Sequence, residues 1–206
     1  MRLFNRVRDA DKIYLISDCH FAHRNIVKGI SQWENKDGCR DFQSTEQMDE
    51  LILDNINSIV PTDATLINLG DIIFGDKSRL PDYLNYINCK EHHYIMGNHD
   101  HWMLNRDGEF KQEVSSLFSS MQFYLELFAK MPDGRKHRVC FQHFSQRVWH
   151  DSHKGSHMYY GHSHGSISNY GRSRDVGVDT NDFKPYRLSD LISWGEQQET
   201  IKVDHH

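Results

Sequence analysis

Three short runs constrain this chain more than any other feature: Lys12-Ile13-Tyr14-Leu15-Ile16-Ser17, Thr65-Leu66-Ile67-Asn68-Leu69 and His93-Tyr94-Ile95-Met96. They are apolar and lack clean alternation, the pattern of strands buried on both faces. Each stops abruptly in polar residues: Asp18-Cys19-His20, Gly70-Asp71 and Gly97-Asn98-His99-Asp100. Between the first two, Ser44-Thr45-Glu46-Gln47 offers a Ser-x-x-Gln capping box. Met48, Leu51, Ile52, Ile56, Ile59 and Val60 then follow helical spacing until Pro61 stops the helix. Strand, short loop, polar cluster and helix in repetition is the grammar of an α/β fold.

The rest of the chain continues in the same way. Residues 81–88 and 108–120 read as helices. Residues 121–130 and 137–142 read as strands joined by the turn Met131-Pro132-Asp133-Gly134 into an antiparallel hairpin that ends at His143. His157-Met158-Tyr159-Tyr160 reads as a strand ending in Gly161-His162-Ser163-His164. Residues 174–179 are expected to form another strand, and 185–194 a turn followed by a short helix. No Pro/Gly/Ser-rich linker, repeat or low-complexity tract divides the 206 residues, so a single domain over 1–206 is expected. His205-His206 read as the remains of a purification tag and are left out of the chemistry.

Composition narrows the function classes. A formal charge of -5 argues against tight nonspecific binding of long nucleic acid, which needs excess Lys and Arg. The charge is uneven. Residues 41–63 hold six acids and no Lys or Arg, a pattern read as a solvated helix face, whereas 135–154 hold five Lys or Arg against one acid and could face a phosphate. No apolar run approaches the roughly 20 residues of a membrane span, and the first residues lack the apolar core of a signal peptide. Cys19, Cys39, Cys89 and Cys140 are scattered and read as reduced thiols. A cytoplasmic protein without a membrane partner is the expectation.

Five strand ends now carry polar groups: Asp18 and His20, Asp71, Asn98 with His99, His143, and His162 with His164. An Asp and a His two apart beyond a strand end can both turn toward one metal. Gly97 permits a sharp backbone turn, Asn98 offers a neutral oxygen ligand, and His99 beside Asp100 suits a general acid. Read alone, Gly97 to Asp100 is equally well a plain turn. His150, His153 and His157 rival His143, which is preferred because it ends a strand.

The ordered set, Asp-x-His at 18–20, Gly-Asp at 70–71, Gly-Asn-His-Asp at 97–100, a lone His143 and Gly-His-x-His at 161–164, resembles the calcineurin-like metallophosphoesterase superfamily. Asp-x-His-Phe-x-His-x-Asn from Asp18 to Asn25 is closer still to a subgroup of small bacterial and phage phosphoesterases. The resemblance implies a four-layer α/β/β/α sandwich of two mixed sheets and two divalent metal ions (Mn, Fe, Zn, Co or Ni). It places Asp18, His20, Asp71 and His164 around one ion and Asp71, Asn98, His143 and His162 around the other, with Asp71 bridging. It implies hydrolysis of a phosphodiester or phosphomonoester by a hydroxide held between the ions, with His99 as proton donor and Asp100 as its orienting partner.

A small phosphate ester, nucleotides included, is the expected substrate. Two other readings stand beside it: a nuclease for short or single-stranded nucleic acid, and a non-catalytic interaction scaffold on the same fold. Gln142-His143-Phe144-Ser145 departs from the His-x-Pro often found at the fourth block. The subgroup extension makes His23, Arg24 and Asn25 candidate substrate contacts, and Arg40, Arg147 and Arg172 are candidate phosphate clamps. Trp33, Trp102, Trp149 and Trp194 are read as packing residues. Asp175-Val176-Gly177-Val178-Asp179 resembles a subgroup segment and is assigned to strand and turn, and no pattern demands a dimer.

Overall fold

The computed structural model describes residues 7–202, so His205-His206 and the first six residues lie outside it. The three buried runs form β2 (Ile13–Ile16), β3 (Thr65–Asn68) and β4 (Glu91–Ile95), mutually parallel neighbours at the centre of a five-stranded sheet. β5 (Ser120–Gln122) extends it in parallel, and β10 (Tyr186–Arg187) closes the other edge antiparallel to β2. The second sheet has the order β1 (Val7–Asp9), β6 (Leu125–Lys130), β7 (Lys136–Phe141), β8 (His157–Tyr160) and β9 (Ser173–Asp175). Only its β6–β7 pair is antiparallel, so both sheets are mixed.

The sheets pack face to face. Leu15, Ile67, Leu69 and Ile95 of the first meet Leu127, Val139, Phe141 and Tyr159 of the second in one buried cluster. Leu188, Leu191 and Ile192 of α4 (Leu188–Glu196) join that same core. α1 (Thr45–Ile59) and α2 (Leu80–Tyr86) cover the other face of the first sheet, where Met48, Ile52 and Ile56 are fully buried. Each such side chain contributes about 1.5–3 kcal/mol. Over the outer face of the second sheet, Cys140, Met158 and Tyr160 are covered among the described residues by Trp149 from the loop after β7. The two mixed sheets match the expected α/β class.

Local expectations fared unevenly. Ser44 caps α1 by accepting the Gln47 N–H at 3.2 Å, but the Gln47 amide oxygen accepts from Gln43 rather than closing the box on Ser44. Asp49 corrects the solvated-face reading of this helix: it is buried, accepting the Tyr83 O–H at 2.7 Å and the Ala22 N–H at 3.0 Å. Within residues 108–120 the only α-helix is the single turn α3 (Gln112–Ser115). The run 121–130 is not one strand. β5 ends at Gln122 in one sheet and β6 begins at Leu125 in the other, so Phe123 and Tyr124 carry the chain between sheets, and an unbroken β-rich composition hides the crossing. The β6–β7 hairpin is as expected, with Lys130 opposite Lys136. Residues 174–179 leave β9 after Asp175 for a turn of 3-10 helix at Val178–Thr180.

Candidate metal centre

β2, β3 and β4 run parallel, as do β7 and β8, and the loops leaving their C-terminal ends meet at one edge of the sandwich. Open α/β sheets place ligands at such ends. Backbone hydrogen bonds tie the loops together: Asp18 N–H to Gly70 O at 3.0 Å, His20 N–H to Asp71 O at 3.0 Å, and Gly161 N–H to His143 O at 2.9 Å. Close approach demands glycine twice. A Cβ on Gly97 would run into the Asp71 carboxylate, and one on Gly161 into Ser17 and Asp18.

All seven candidate ligands named from the sequence are brought together, in two groups. Asp18, His20 and His164 form one, with Asp18 Oδ1 at 3.8 Å from His20 Nε2 and 3.9 Å from His164 Nε2. In the other, Asn98 Oδ1 lies 2.9 Å from His143 Nε2 and 2.8 Å from His162 Nδ1, and Asp71 Oδ2 lies 3.5 Å from His143 Nε2. Asp18, Asp71 and His143 themselves converge, which joins the groups. The rivals to His143 sit elsewhere: His150 bonds Glu126 at 3.0 Å, His153 lies in the turn Ser152–Lys154, and His157 starts β8 rather than following its end.

Three observations fit this site to cations. Nitrogen and oxygen ligands about 2.1 Å from one ion lie about 3–3.5 Å from one another; Asp71 Oδ2 and His143 Nε2 stand at 3.5 Å, and Asn98 Oδ1 meets His143 and His162 at the hydrogen-bond distances of 2.9 and 2.8 Å. Asp18 Oδ1 is buried without a hydrogen-bond partner, a desolvated acceptor that a cation would satisfy. Third, Asp18, His20, Asp71, His162 and His164 all have left-handed backbones, with φ of 57°, 52°, 54°, 68° and 47°. That region costs a non-glycine residue about 1–2 kcal/mol, and such strain gathers at functional sites.

Charge couples the acids and imidazoles of the two groups. Burial pushes the Asp18 carboxyl up to about 6 despite His143 and His164 nearby. Burial would raise Asp71 too, but contact with His143 and the His99 N–H outweighs it and holds Asp71 below the usual range. Burial drives His20 well down, keeping the neutral imidazole that ligates metal. His143 is raised to about 8 because Asp71 and Asp18 outweigh its burial.

Sequence reasoning missed the groups behind the ligands. Asp179 Oδ2 accepts His164 Nδ1 at 2.6 Å and so aims Nε2 at Asp18. Arg40, only 4% exposed, grips Asp179 at 2.7 and 2.8 Å and donates to Asp18 O and Cys19 O. It is no substrate clamp. Asp175 accepts from Ser163 Oγ, Gly165 N–H and Gly177 N–H, bracing the His162–His164 loop. The likeness of residues 175–179 to a subgroup segment was the available signal, set aside because the ligand set was already complete.

Asp100 departs from its expected part. Its Oδ2 accepts Tyr94 O–H at 2.6 Å, Gly97 N–H at 2.7 Å and Asp71 N–H at 2.9 Å, so among the described contacts it holds the ligand loops, not the His99 ring. His99 is exposed; its backbone N–H donates to Asp71 Oδ1 at 2.9 Å and its ring lies 5.8 Å from that of His20. Of the other candidates, Asn25 accepts from Gln32 N–H, Arg172 bonds Gly155 O, and His23 stacks on Phe74 at 3.8 Å. Trp33 edges onto His23 while 45% exposed, less of a packing residue than expected. Arg24 and Arg147 are exposed.

No family model matches the chain. It is 26% identical over 193 residues to the uncharacterized protein MJ1445 of Methanocaldococcus jannaschii, an alignment covering 93% of this chain and 96% of that one. Its fold is similar to the crystal structure of the protein of unknown function AQ665 from Aquifex aeolicus, with a TM-score of 0.56, 18% identity, and coverage of 88% of this chain and 98% of that one.

Proposed function

We propose that this protein is a metal-dependent phosphoric ester hydrolase acting on a small phosphodiester or phosphomonoester, nucleotides included. The convergence of seven oxygen and nitrogen donors, five of them on strained, left-handed backbones, carries the reading. Asp18, His20, Asp71 and His164 would hold one divalent ion and Asp71, Asn98, His143 and His162 the other. Such a pair, of Mn, Fe, Zn, Co or Ni, would supply hydroxide at neutral pH and neutralise phosphoryl charge.

The remaining work falls to the chain itself. His99, at the open rim beside His20, donates a proton to the departing oxygen. Its backbone N–H bond to Asp71 anchors residue 99 beside that carboxylate. Asp100 holds the Gly97 and Asp71 turns, and Asp179 with Arg40 keeps His164 in its ligating tautomer. The four-layer metallophosphoesterase architecture belongs to the same reading. So does a cytoplasmic setting, supported by four free cysteines; no helix among the described residues is long and apolar enough to cross a membrane.

The test is hydrolysis of bis-p-nitrophenyl and p-nitrophenyl phosphate by protein loaded separately with manganese, zinc, nickel, cobalt or iron, with Asp71→Asn as control. Metal-dependent turnover abolished by Asp71→Asn and by a chelator is expected. Absence of turnover with every metal at about two ions bound per chain, the stoichiometry of a two-metal site, would overturn the hydrolase in favour of a binding role.

A further inference from the structure

Two cavities run away from the metal centre on its His162 side. The first, about 340 Å³, is lined by Phe144, Ser145, His162, Ser166 and Ile167; the second, about 280 Å³, by Gln146, Arg147, Tyr170 and neighbours. They share Ser145 and Ile167 and so form one groove, each part near the small end of the roughly 300–1,000 Å³ range of ligand sites. No Asp or Glu lines either cavity, in a chain with 29 acids and a net charge of -5. A third cavity, against α1, is instead lined by Glu46, Asp49, Glu50 and Asp54. The acid-free lining lies beside the metal ligand.

The groove also carries the right contact groups. Phe144 is 45% exposed, edge-on to His162 at 4.7 Å and His143 at 5.1 Å, so its ring leads outward from the ligands. Arg147 is exposed, has no carboxylate partner among the described residues, and rests its guanidinium 5.9 Å from the Tyr170 ring. Ser145, Ser166 and Ser168 are exposed hydroxyls of the kind that contact phosphate oxygens. Aromatic faces spaced with a cation and hydroxyls match a polyanion whose flat groups are free to stack, which describes a single strand rather than a duplex.

We propose that this groove is an extended subsite for single-stranded nucleic acid: a base against Phe144, and the next phosphate at Arg147. The identity of the reacting phosphate rests on the hydrolase reading above. His99 lies on the other side, near His20 and Phe74, so the groove takes the part of the substrate that stays on phosphorus. A phosphodiester has that second arm; a phosphomonoester does not.

The probe is a short fluorescein-labelled oligo-dT, read by anisotropy against manganese-loaded His99→Ala protein across a salt series. Binding that weakens with salt is expected, with the log–log slope reduced by about 0.7 in Arg147→Ala, one phosphate contact on a single strand. Arg147→Lys retains the slope, and Phe144→Ala weakens binding roughly 5- to 150-fold, the loss of one stacked base. Absence of binding at low salt, or a slope indifferent to Arg147→Ala, overturns the subsite. Binding with these variant effects but no hydrolysis of bis-p-nitrophenyl or p-nitrophenyl phosphate by the wild type with any of the metals tested above supports the groove and removes the hydrolase. Hydrolysis without oligonucleotide binding does the reverse.

Discussion

A buried Arg40 guanidinium forms a two-pronged ion pair with the half-buried Asp179, at 2.7 and 2.8 Å, directly behind the candidate ligand His164. The pair fixes charge as well as position. Burial opposes the Asp179 carboxylate, but His164 and Arg40 outweigh it and hold it well below the usual carboxylate range. An anion at Nδ1 makes Nε2 the free, basic nitrogen of His164.

Asp179→Asn should therefore weaken metal binding about 10- to 100-fold, the usual loss for an outer partner of a ligating histidine. Competitive titration against a chromophoric chelator measures it. Arg40→Ala should also lower stability, by about 1–3 kcal/mol in denaturant unfolding, because it leaves the buried Asp18 and Cys19 carbonyls without their donor. An Asp179→Asn protein with wild-type affinity would show that His164 needs no orienting anion.

The strand-end cluster of acids and imidazoles was legible because a strand buried on both faces stops being apolar only where it leaves the sheet. Asp18, Asp71, Asn98 and His162 stand at such exits, and His143 could be chosen over His157 on that ground even without the following Pro. What lies behind the ligands was not legible. Arg40 and Asp179 are 139 residues apart, and nothing local marks Arg40 as buried or the two as partners. Asp49 was hidden among solvated acids of α1, where its i, i+4 neighbours give no sign that Tyr83 and Ala22 point at it. The jump between sheets at Phe123–Tyr124 was invisible because either sheet accepts those side chains.

Asp100→Asn should behave as a structural lesion. Its carboxylate is 0% exposed and accepts three donors, two of them from the backbone of the ligand turns. Hydrogen bonds to a buried charge contribute about 1.5–3 kcal/mol each; an amide recovers part, so a loss of about 2–4 kcal/mol is expected by urea unfolding. The pH at which turnover loses its proton donor should stay put. A displaced limb would instead restore Asp100 as the partner of the His99 ring.

Asp49 sets a pH dependence of stability away from the metal ligands. Burial raises its carboxyl to about 6, with Tyr83 and the Ala22 N–H only partly compensating. An unfolded Asp titrates near about 3.9, so between these values the folded state binds more protons than the unfolded one. Stability from this group is complete below pH of about 4 and is lost as pH rises through about 6. Asp49→Asn removes the titration, so its unfolding free energy relative to wild type should rise from pH 4 to pH 7. A difference that is flat across this window would show that the Asp49 carboxyl titrates normally.

His99→Ala separates proton donation from metal binding, because the contact that ties residue 99 to Asp71 is made by the backbone N–H. Alanine keeps that N–H, so metal content should match the wild type by elemental analysis. The lost imidazole should lower kcat by about 10²- to 10⁴-fold for esters with an alkyl leaving group, the usual contribution of general acid catalysis. A p-nitrophenolate departs without a proton, so the loss should be much smaller for p-nitrophenyl esters. Equal losses for both leaving groups, or metal lost alongside turnover, would place His99 among the groups that build the site and leave proton transfer to another residue or to water.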